Sequence, residues 1–248
     1  MRRLVRFIAC LLAQLLLTQV ATAQDAPILT FRSAAFECRK EIPSAQTTNL
    51  LADIERHYEQ IGDLTASFSQ SSYFVGSEEE KISRGKIYFK RPGKMDWVYE
   101  APEIDRFVSD GTTLWIFNSH DNQVRARSFR DSFSSDVPVS FLLGVGKLRE
   151  NFKLISACES SDGVVLKLEP LKPNDSLNEL SLLVDGKSHA PIGASVMNVG
   201  GNQTAILFEN MKLNTSVPES HFAFQIPKGS DFIDERASVN GGGAEEKK

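Results

Sequence analysis

The amino-acid sequence predicts a mainly β protein: one antiparallel sheet, strongly curved or barrel-like, with helices covering it. Two observations carry that prediction. Apolar and polar residues alternate with a period of two through most of the chain after Leu64, and Pro-Gly, Asp-Gly and Gly-Gly pairs cut the alternation into short runs. Helical spacing is confined to residues 50–61 and a short apolar stretch near 138–143, and no internal repeat is visible.

Residues 1–23 read as a signal peptide. Arg2, Arg3 and Arg6 form a positive start, residues 7–17 are largely apolar, and Ala21, Thr22 and Ala23 supply the small residues of a cleavage site. Gln14, Thr18 and Gln19 interrupt a run already short for a membrane span. Cys10 lies inside that run, with Leu11, Leu12 and Leu15 continuing past it, so it belongs to the discarded segment rather than to a lipidation site. The expected product is an exported, soluble chain. Its residues 24–46 form an N-terminal extension of little periodicity, residues 47–236 a single domain, and the glycine-rich residues 237–248 a disordered tail. Cys38 and Cys158 remain in that product. In an oxidising compartment one pairing is open to them, closing a loop of roughly 120 residues worth about 4–5 kcal/mol of unfolded-chain entropy. The other reading is two buried thiols that never meet.

The elements follow from their punctuation. Leu50, Leu51, Ile54, Tyr58 and Ile61 recur at helical spacing behind Thr48 and Asn49 as caps, with Gly62 as the stop. Strand alternation starts at Leu64, Ala66 and Phe68 and, after a turn at 76–80, resumes over 82–91. Asp110-Gly111 joins runs 106–109 and 112–117 as a two-residue hairpin, and a polar turn at 118–123 precedes the run 124–129. Pro138 followed by Val139, Phe141, Leu142 and Leu143 and then Gly144 and Gly146 is the punctuation of a short helix, apolar nearly all round. A second small turn covers 147–151, and strands return at 152–157, 164–169, 180–184, 192–198, 204–213 and 222–226.

Charge and chemistry narrow the function. Losing three arginines with the leader takes the formal net charge from −4 to −7, which offers nothing to nucleic acid or an anionic membrane. His57, His120, His189 and His221 are scattered without zinc-ligand spacing, and no GxSxG elbow, Walker loop or dinucleotide-binding glycine turn occurs. Ser119-His120-Asp121 sets the residue types of a catalytic triad side by side, where neighbours in a turn cannot take up triad geometry. Glu78-Glu79-Glu80 reads as a solvated turn rather than a metal site. No catalytic residue, metal ligand or cofactor is assigned, and binding is the class that remains.

A binding surface is written into strand parity. Gly85, Ile87, Phe89 and Arg91 share one face, and a parity-preserving turn at Pro92-Gly93 adds Met95, Trp97 and Tyr99 to it. Thr113, Trp115 and Phe117 are grouped by the same rule, although Leu114 and Ile116 are apolar too. The face is wide and greasy, and Arg91 sits at its rim.

The run RGKIYFKRPGKMDWVYEAP, followed by FVSDGTTLWIFN, NQVRAR, VPVSFLLG and HFAFQIPKG, resembles the periplasmic lipoprotein carrier family LolA over roughly residues 50–235. The resemblance implies an incomplete, unclosed antiparallel β-barrel with a helical lid over a hydrophobic cavity that holds lipoprotein acyl chains. It implies a monomeric, cofactor-free carrier in the periplasm, loaded by an inner-membrane LolCDE-like ABC transporter and unloaded to a LolB-like outer-membrane acceptor. Ile87, Phe89, Met95, Trp97, Tyr99, Trp115 and Phe117 would then line the cavity, and Leu50, Ile54, Phe141, Leu142 and Leu143 would belong to the lid. Arg91, in the Lys-Arg-Pro motif, would latch that lid in its closed form. The chain departs from the family in Met95, where phenylalanine is frequent, and in its longer N-terminal extension. A LolB-like acceptor, anchored through an N-terminal cysteine, and an envelope-stress sensor that binds a protein or lipid partner are the alternatives on the same fold. A lipid-processing enzyme would have to show turnover.

Overall fold

A computed structural model describes residues 34–133, 147–172 and 177–236. The alternating stretches become strands β1 (Lys40–Glu41), β2 (Asp63–Phe74), β3 (Glu79–Lys90), β4 (Lys94–Ala101), β5 (Arg106–Asp110), β6 (Thr113–Asn118) and β7 (Gln123–Ser128). They continue as β8 (Phe152–Glu159), β9 (Val164–Pro170), β10 (Glu179–Val184), β11 (Pro191–Met197), β12 (Gln203–Leu213) and β13 (Asp231–Asp234). All belong to one sheet, in the order β1-β8-β9-β10-β11-β12-β2-β3-β4-β5-β6-β7-β13. Each pairing is antiparallel except β7 with β13, which is parallel. Among the described residues no pairing joins one end of the sheet to the other, so it is an unclosed barrel. Strands β7 and β8 lie towards opposite ends of that order, and residues 129–151 connect them. The helix expected around Phe141, Leu142 and Leu143 falls in this connection and lies outside the described residues, as do the leader and the tail.

The expected amphipathic helix runs over Leu50–Glu59. Its apolar stripe packs Ile54 (0 % exposed) and Tyr58 (2 %) on the inner face of the sheet, while Arg56 and Glu59 face outward. Burial of each such side chain stabilises the fold by about 1.5–3 kcal/mol. Asn49 occupies the N-cap position without a side-chain capping bond; Thr47 and Thr48 instead donate to the Ser44 carbonyl. The inner core continues through Leu64, Ala66 and Phe68 of β2 to Leu166, Leu182 and Ile206 on the other half of the sheet.

Phe68 lies across β3 because Gly85 carries no side chain. A Cβ there would sit 1.9 Å from the Val98 carbonyl oxygen and 2.8 Å from Phe68 Cε1. The bare backbone lets the Phe68 ring reach Trp97 and Tyr99, with centroids 5.2 and 5.1 Å away, spacings at which aromatic pairs attract.

Two sequence expectations change. The turn after β5 is longer than two residues: Ser109 pairs with Leu114, and Asp110 Oδ1 accepts the Thr112 and Thr113 N–H groups while Gly111 takes φ +94°. Asp110 thus closes the turn with its side chain. Residues 222–226 are not a strand. A 3-10 turn at Glu219–Phe222 leads a segment over the outer face, where His221 stacks on Tyr88 at 3.9 Å and Phe224 on Trp115 at 6.0 Å. Their alternation reflects side-chain packing onto a sheet that already has its strands, and the last strand, β13, comes only after Pro227.

Two consequences are measurable. Gly85→Ala forces its methyl into the Val98 carbonyl and should destabilise the protein by about 1–3 kcal/mol in urea unfolding, the usual cost of overpacking. The outer segment is also held by Glu219, which binds Lys90 at 2.8 Å and Lys94 at 2.5 Å. Hydrogen bonds from these lysines hold its carboxyl down at about 2, against 4.5 ordinarily. A depressed folded-state value means that the contribution is present above the unfolded value and is lost as pH falls through the window from about 4.5 to about 2. The fall in melting temperature across that window should be shallower in Glu219→Gln than in the wild type.

Candidate functional site

Cross-strand register decides which side chains share the inner face. Ile87 pairs with Trp97, Phe89 with Met95 and Gly85 with Tyr99, so these residues come together as parity implied. The ladder continues from Trp97 to Phe107 and from Phe107 to Ile116. Trp97, Tyr99, Phe107 and Ile116 are only half-buried, whereas Ile87, Phe89 and Met95 are buried beneath them. Trp97 Nε1, a buried donor, has no hydrogen-bond partner in the structure.

Trp115 and Phe117 are on the other side. Trp115 pairs with Val108, which pairs with Asp96 and through it with Tyr88, and Phe117 pairs with Arg106. Phe117 lines an outer-face groove of about 500 Å³ together with Lys86, His221 and Phe224, and Trp115 stacks on Phe224. Parity misassigned them because β6 is apolar on both faces: the inner core covers one, the C-terminal segment the other. Choosing between them requires the β4–β5 register, which crosses the irregular residues 102–105 where no turn signature marks the offset. Phe107, Leu114 and Ile116 are inner-face residues of this region that sequence reasoning left out of the lining.

Arg91 follows the last residue of β3 and reaches back to the C-terminal end of the long helix. Its Nε donates to the Ile61 carbonyl at 2.9 Å and its Nη2 to the Tyr58 carbonyl at 3.1 Å, while its own N–H donates to the Gly62 carbonyl at 2.9 Å. The guanidinium carbon also stands 4.7 Å from the centre of the Tyr58 ring. A helix end exposes carbonyls without intrahelical partners and carries partial negative charge, so a forked cation fits it doubly. Burial lifts the Tyr58 phenol well above its usual range, with Arg91 opposing, and pushes Tyr99 up to about 12 despite its hydrogen bond to Gln70. Both phenols therefore stay neutral at any physiological pH, and the aromatic face adds no charge to that of Arg91.

A second polar link holds the same helix. Glu55, 4 % exposed, accepts the Arg149 backbone N–H at 2.8 Å and its Nε at 2.5 Å. Arg149 belongs to the short Leu148–Asn151 helix, so Glu55 ties the long helix to the end of the connection between β7 and β8. A charge inside the buried stripe Leu51, Ile54, Glu55, Tyr58 was the available signal for it. Of the residues expected in the lid, Leu50 and Ile54 join the inner core, and Phe141, Leu142 and Leu143 lie outside the described residues. Cys38 and Cys158 are both free thiols, one exposed and one buried.

The family model for the outer membrane lipoprotein carrier protein LolA matches residues 59–225. The chain belongs to the LolA family. The outer-membrane lipoprotein carrier protein of Chromobacterium violaceum is 29 % identical over 170 residues, 68 % of this chain and 80 % of that one. That of Pseudomonas syringae pv. syringae is 31 % identical over 195 residues, 78 % of this chain and 92 % of its own. An uncharacterized conserved protein from Thermus thermophilus has the same fold, with TM-score 0.50 and 13 % identity over 76 % of this chain and 99 % of that one. In this LolA-family chain Arg91 and the inner aromatic ladder lie within the matched region, whereas Cys38 and most of the long helix precede it.

Arg91→Ala removes the guanidinium bonds to the Tyr58 and Ile61 carbonyls, the first of which keeps the Ile61 N–H, and should lower stability by about 1.5–3 kcal/mol, the range for hydrogen bonds to a charged group. Arg91→Lys keeps the charge but loses the fork and should restore less than half of that difference in urea unfolding.

Proposed function

We propose that this chain is a non-enzymatic periplasmic chaperone that takes up the acyl chains of lipoproteins leaving the inner membrane and delivers them to an acceptor in the outer membrane. The observation that carries the reading is the Arg91 bridge to the end of a helix that covers an apolar, aromatic-rich inner face. Membership of the LolA family and relatives named as outer-membrane lipoprotein carrier proteins support it. A leader with the pattern of a signal peptide supports the periplasmic location, and no helix among the described residues is long and apolar enough to cross a membrane.

The mechanism is a balance of two terms. Exposing a lipoprotein's acyl chains to water costs about 0.8 kcal/mol per CH₂, hence tens of kcal/mol for a free lipoprotein. The inner face offsets that cost by taking the chains between the sheet and its helical cover, with Ile87, Phe89, Met95, Trp97, Tyr99, Phe107 and Ile116 as the lining. To admit them, the cover formed by the Leu50–Glu59 helix has to move. Arg91 then loses its carbonyl partners, and this penalty keeps the loaded state releasable. An ABC transporter of the LolCDE type supplies the cargo, and a LolB-like protein receives it.

The test incubates purified protein with transporter vesicles or spheroplasts bearing a radiolabelled lipoprotein. Wild-type protein should bring the lipoprotein into the soluble fraction, and failure to do so would overturn the carrier reading. Arg91→Leu should still load but hand cargo to acceptor membranes at least about tenfold more slowly, since each 1.4 kcal/mol of lost closed-state bonding is a factor of ten. Ile116→Glu should abolish loading and Trp115→Ala should not. Transfer by Arg91→Leu at the wild-type rate removes the latch from the mechanism.

A further inference from the structure

Cys38 and Cys158, far apart in sequence, meet at one edge of the sheet. Strand β1 adds to β8 with Lys40 opposite Glu159 and Glu41 opposite Cys158. The Arg39 N–H donates to the Glu159 carbonyl at 2.9 Å and the Ile42 N–H to the Ala157 carbonyl at 2.9 Å. At this junction Cys38, one residue before the bonded Arg39, is a near enough neighbour to help raise the Cys158 thiol. Cys158 is 3 % exposed and Cys38 is exposed.

The segment they join has work to do and few bonds to hold it. Ala35 and Phe36 pack with Cys158, Val165 and Leu183 into an outer apolar cluster separate from the inner core. Val165 pairs with Leu183 while their neighbours Leu166 and Leu182 pair on the opposite, inner face. Against the loss of this cover stand a strand of only 2 residues and the Lys40–Glu159 ion pair, whose side chains are 73 % and 54 % exposed. Exposed ion pairs contribute little, and without the segment β8 would present an unpaired edge.

We propose that Cys38 and Cys158 form a disulfide that staples residues 34–42 over the β8 edge and seals the outer apolar cluster. The oxidant is a disulfide of the exported compartment, either a protein dithiol oxidase or glutathione disulfide, so in the cell the proposal rests on the periplasmic location given above. The exposed Cys38, as thiolate, attacks one sulfur of the oxidant and expels the other as a thiol, leaving a mixed disulfide. Cys158 then loses its proton and attacks Cys38 Sγ, expelling the second oxidant thiol. The two cysteines lose two protons and two electrons, and the oxidant's disulfide is reduced to two thiols. The order follows from access: burial, reinforced by Cys38, pushes the Cys158 thiol up to about 12, which makes it a poor first nucleophile and a second one only when its partner is held against it.

The experiment has an in vitro and a cellular arm. The full chain, purified reduced, is equilibrated with a glutathione and glutathione-disulfide buffer, quenched with N-ethylmaleimide and mapped by mass spectrometry. The expected product has lost two hydrogens and links the peptides containing Cys38 and Cys158, and its Arg39 and Ile42 amides exchange at least about tenfold more slowly than in the reduced protein. Cys158→Ser should accumulate a glutathione adduct on Cys38, whereas Cys38→Ser should leave Cys158 unmodified while folded. Glutathione adducts on both wild-type cysteines, or free thiols throughout, overturn the staple. In the cellular arm the chain is trapped with N-ethylmaleimide directly from the periplasmic fraction, where the linked peptide is expected. Linkage in vitro with a free-thiol chain recovered from the cytoplasmic fraction would uphold the pairing and overturn the exported location instead, whereas free thiols in the periplasmic fraction would overturn the staple.

Discussion

The hydrogen bonds from Arg91 to the Tyr58 and Ile61 carbonyls are the contact on which the inner side of this molecule depends. They resolve a problem set by the helix itself, whose last carbonyls need donors in a place where apolar packing leaves little room for water. The same guanidinium lies against the Tyr58 ring, so one side chain fixes the end of the helix and the orientation of one of its buried anchors. Because Arg91 follows directly on β3, which carries Ile87 and Phe89, the position of the helix over the apolar face is tied to that face. Glu55 and Arg149 supply a second tether, one turn before Tyr58. Two polar links in an otherwise apolar contact give the cover a defined seat, and neither is so strong that hydration of the freed groups could not replace it.

The two faces of the sheet are covered by different means. On the outside, the C-terminal segment is docked by Glu219 on Lys90 and Lys94, by His221 stacked on Tyr88, and by the buried carboxylate of Asp96, which accepts two bonds from Arg106 and faces His221 Nδ1 at 3.2 Å. On the inside, the cover rests mainly on apolar burial. This asymmetry suits a carrier. In the mechanism proposed above, acyl chains would compete with apolar contacts on equal terms but offer nothing to a network of charges and stacked rings, so cargo would displace the inner cover and leave the outer one in place. Both ends of the sheet carry short strands from the chain's outer segments, β1 on the end of β8 and β13 on β7, which cover part of each lip of the unclosed barrel.

Much of this architecture is legible in the order of residues along the chain. A period of two with turn dipeptides specifies most of the strands, because alternation and turn chemistry are local properties of the chain. The stripe of Leu51, Ile54 and Tyr58 specifies the helix and its buried face for the same reason. Ile87, Phe89, Met95, Trp97 and Tyr99 can be grouped because a short turn carries parity from β3 to β4. Sequence reasoning fails where a local pattern has two solutions. Trp115 and Ile116 are both apolar, and the choice between them belongs to the register across residues 102–105. Phe222 and Phe224 alternate like a strand but pack onto one.

The chain's own pattern thus decided its period, its turns, the buried stripe of its helix and the presence of one arginine at the edge of an apolar run. Tertiary structure alone decided which carbonyls that arginine binds, which side of β6 faces inward, that Glu55 meets Arg149, and that the segments of two cysteines about 120 residues apart adjoin at one sheet edge. Periodicity is a property of neighbours along the backbone and survives in the sequence. A long-range contact depends on the accumulated register of every strand between its partners, and a shift of one residue anywhere along that path would point the same side chain to the opposite face.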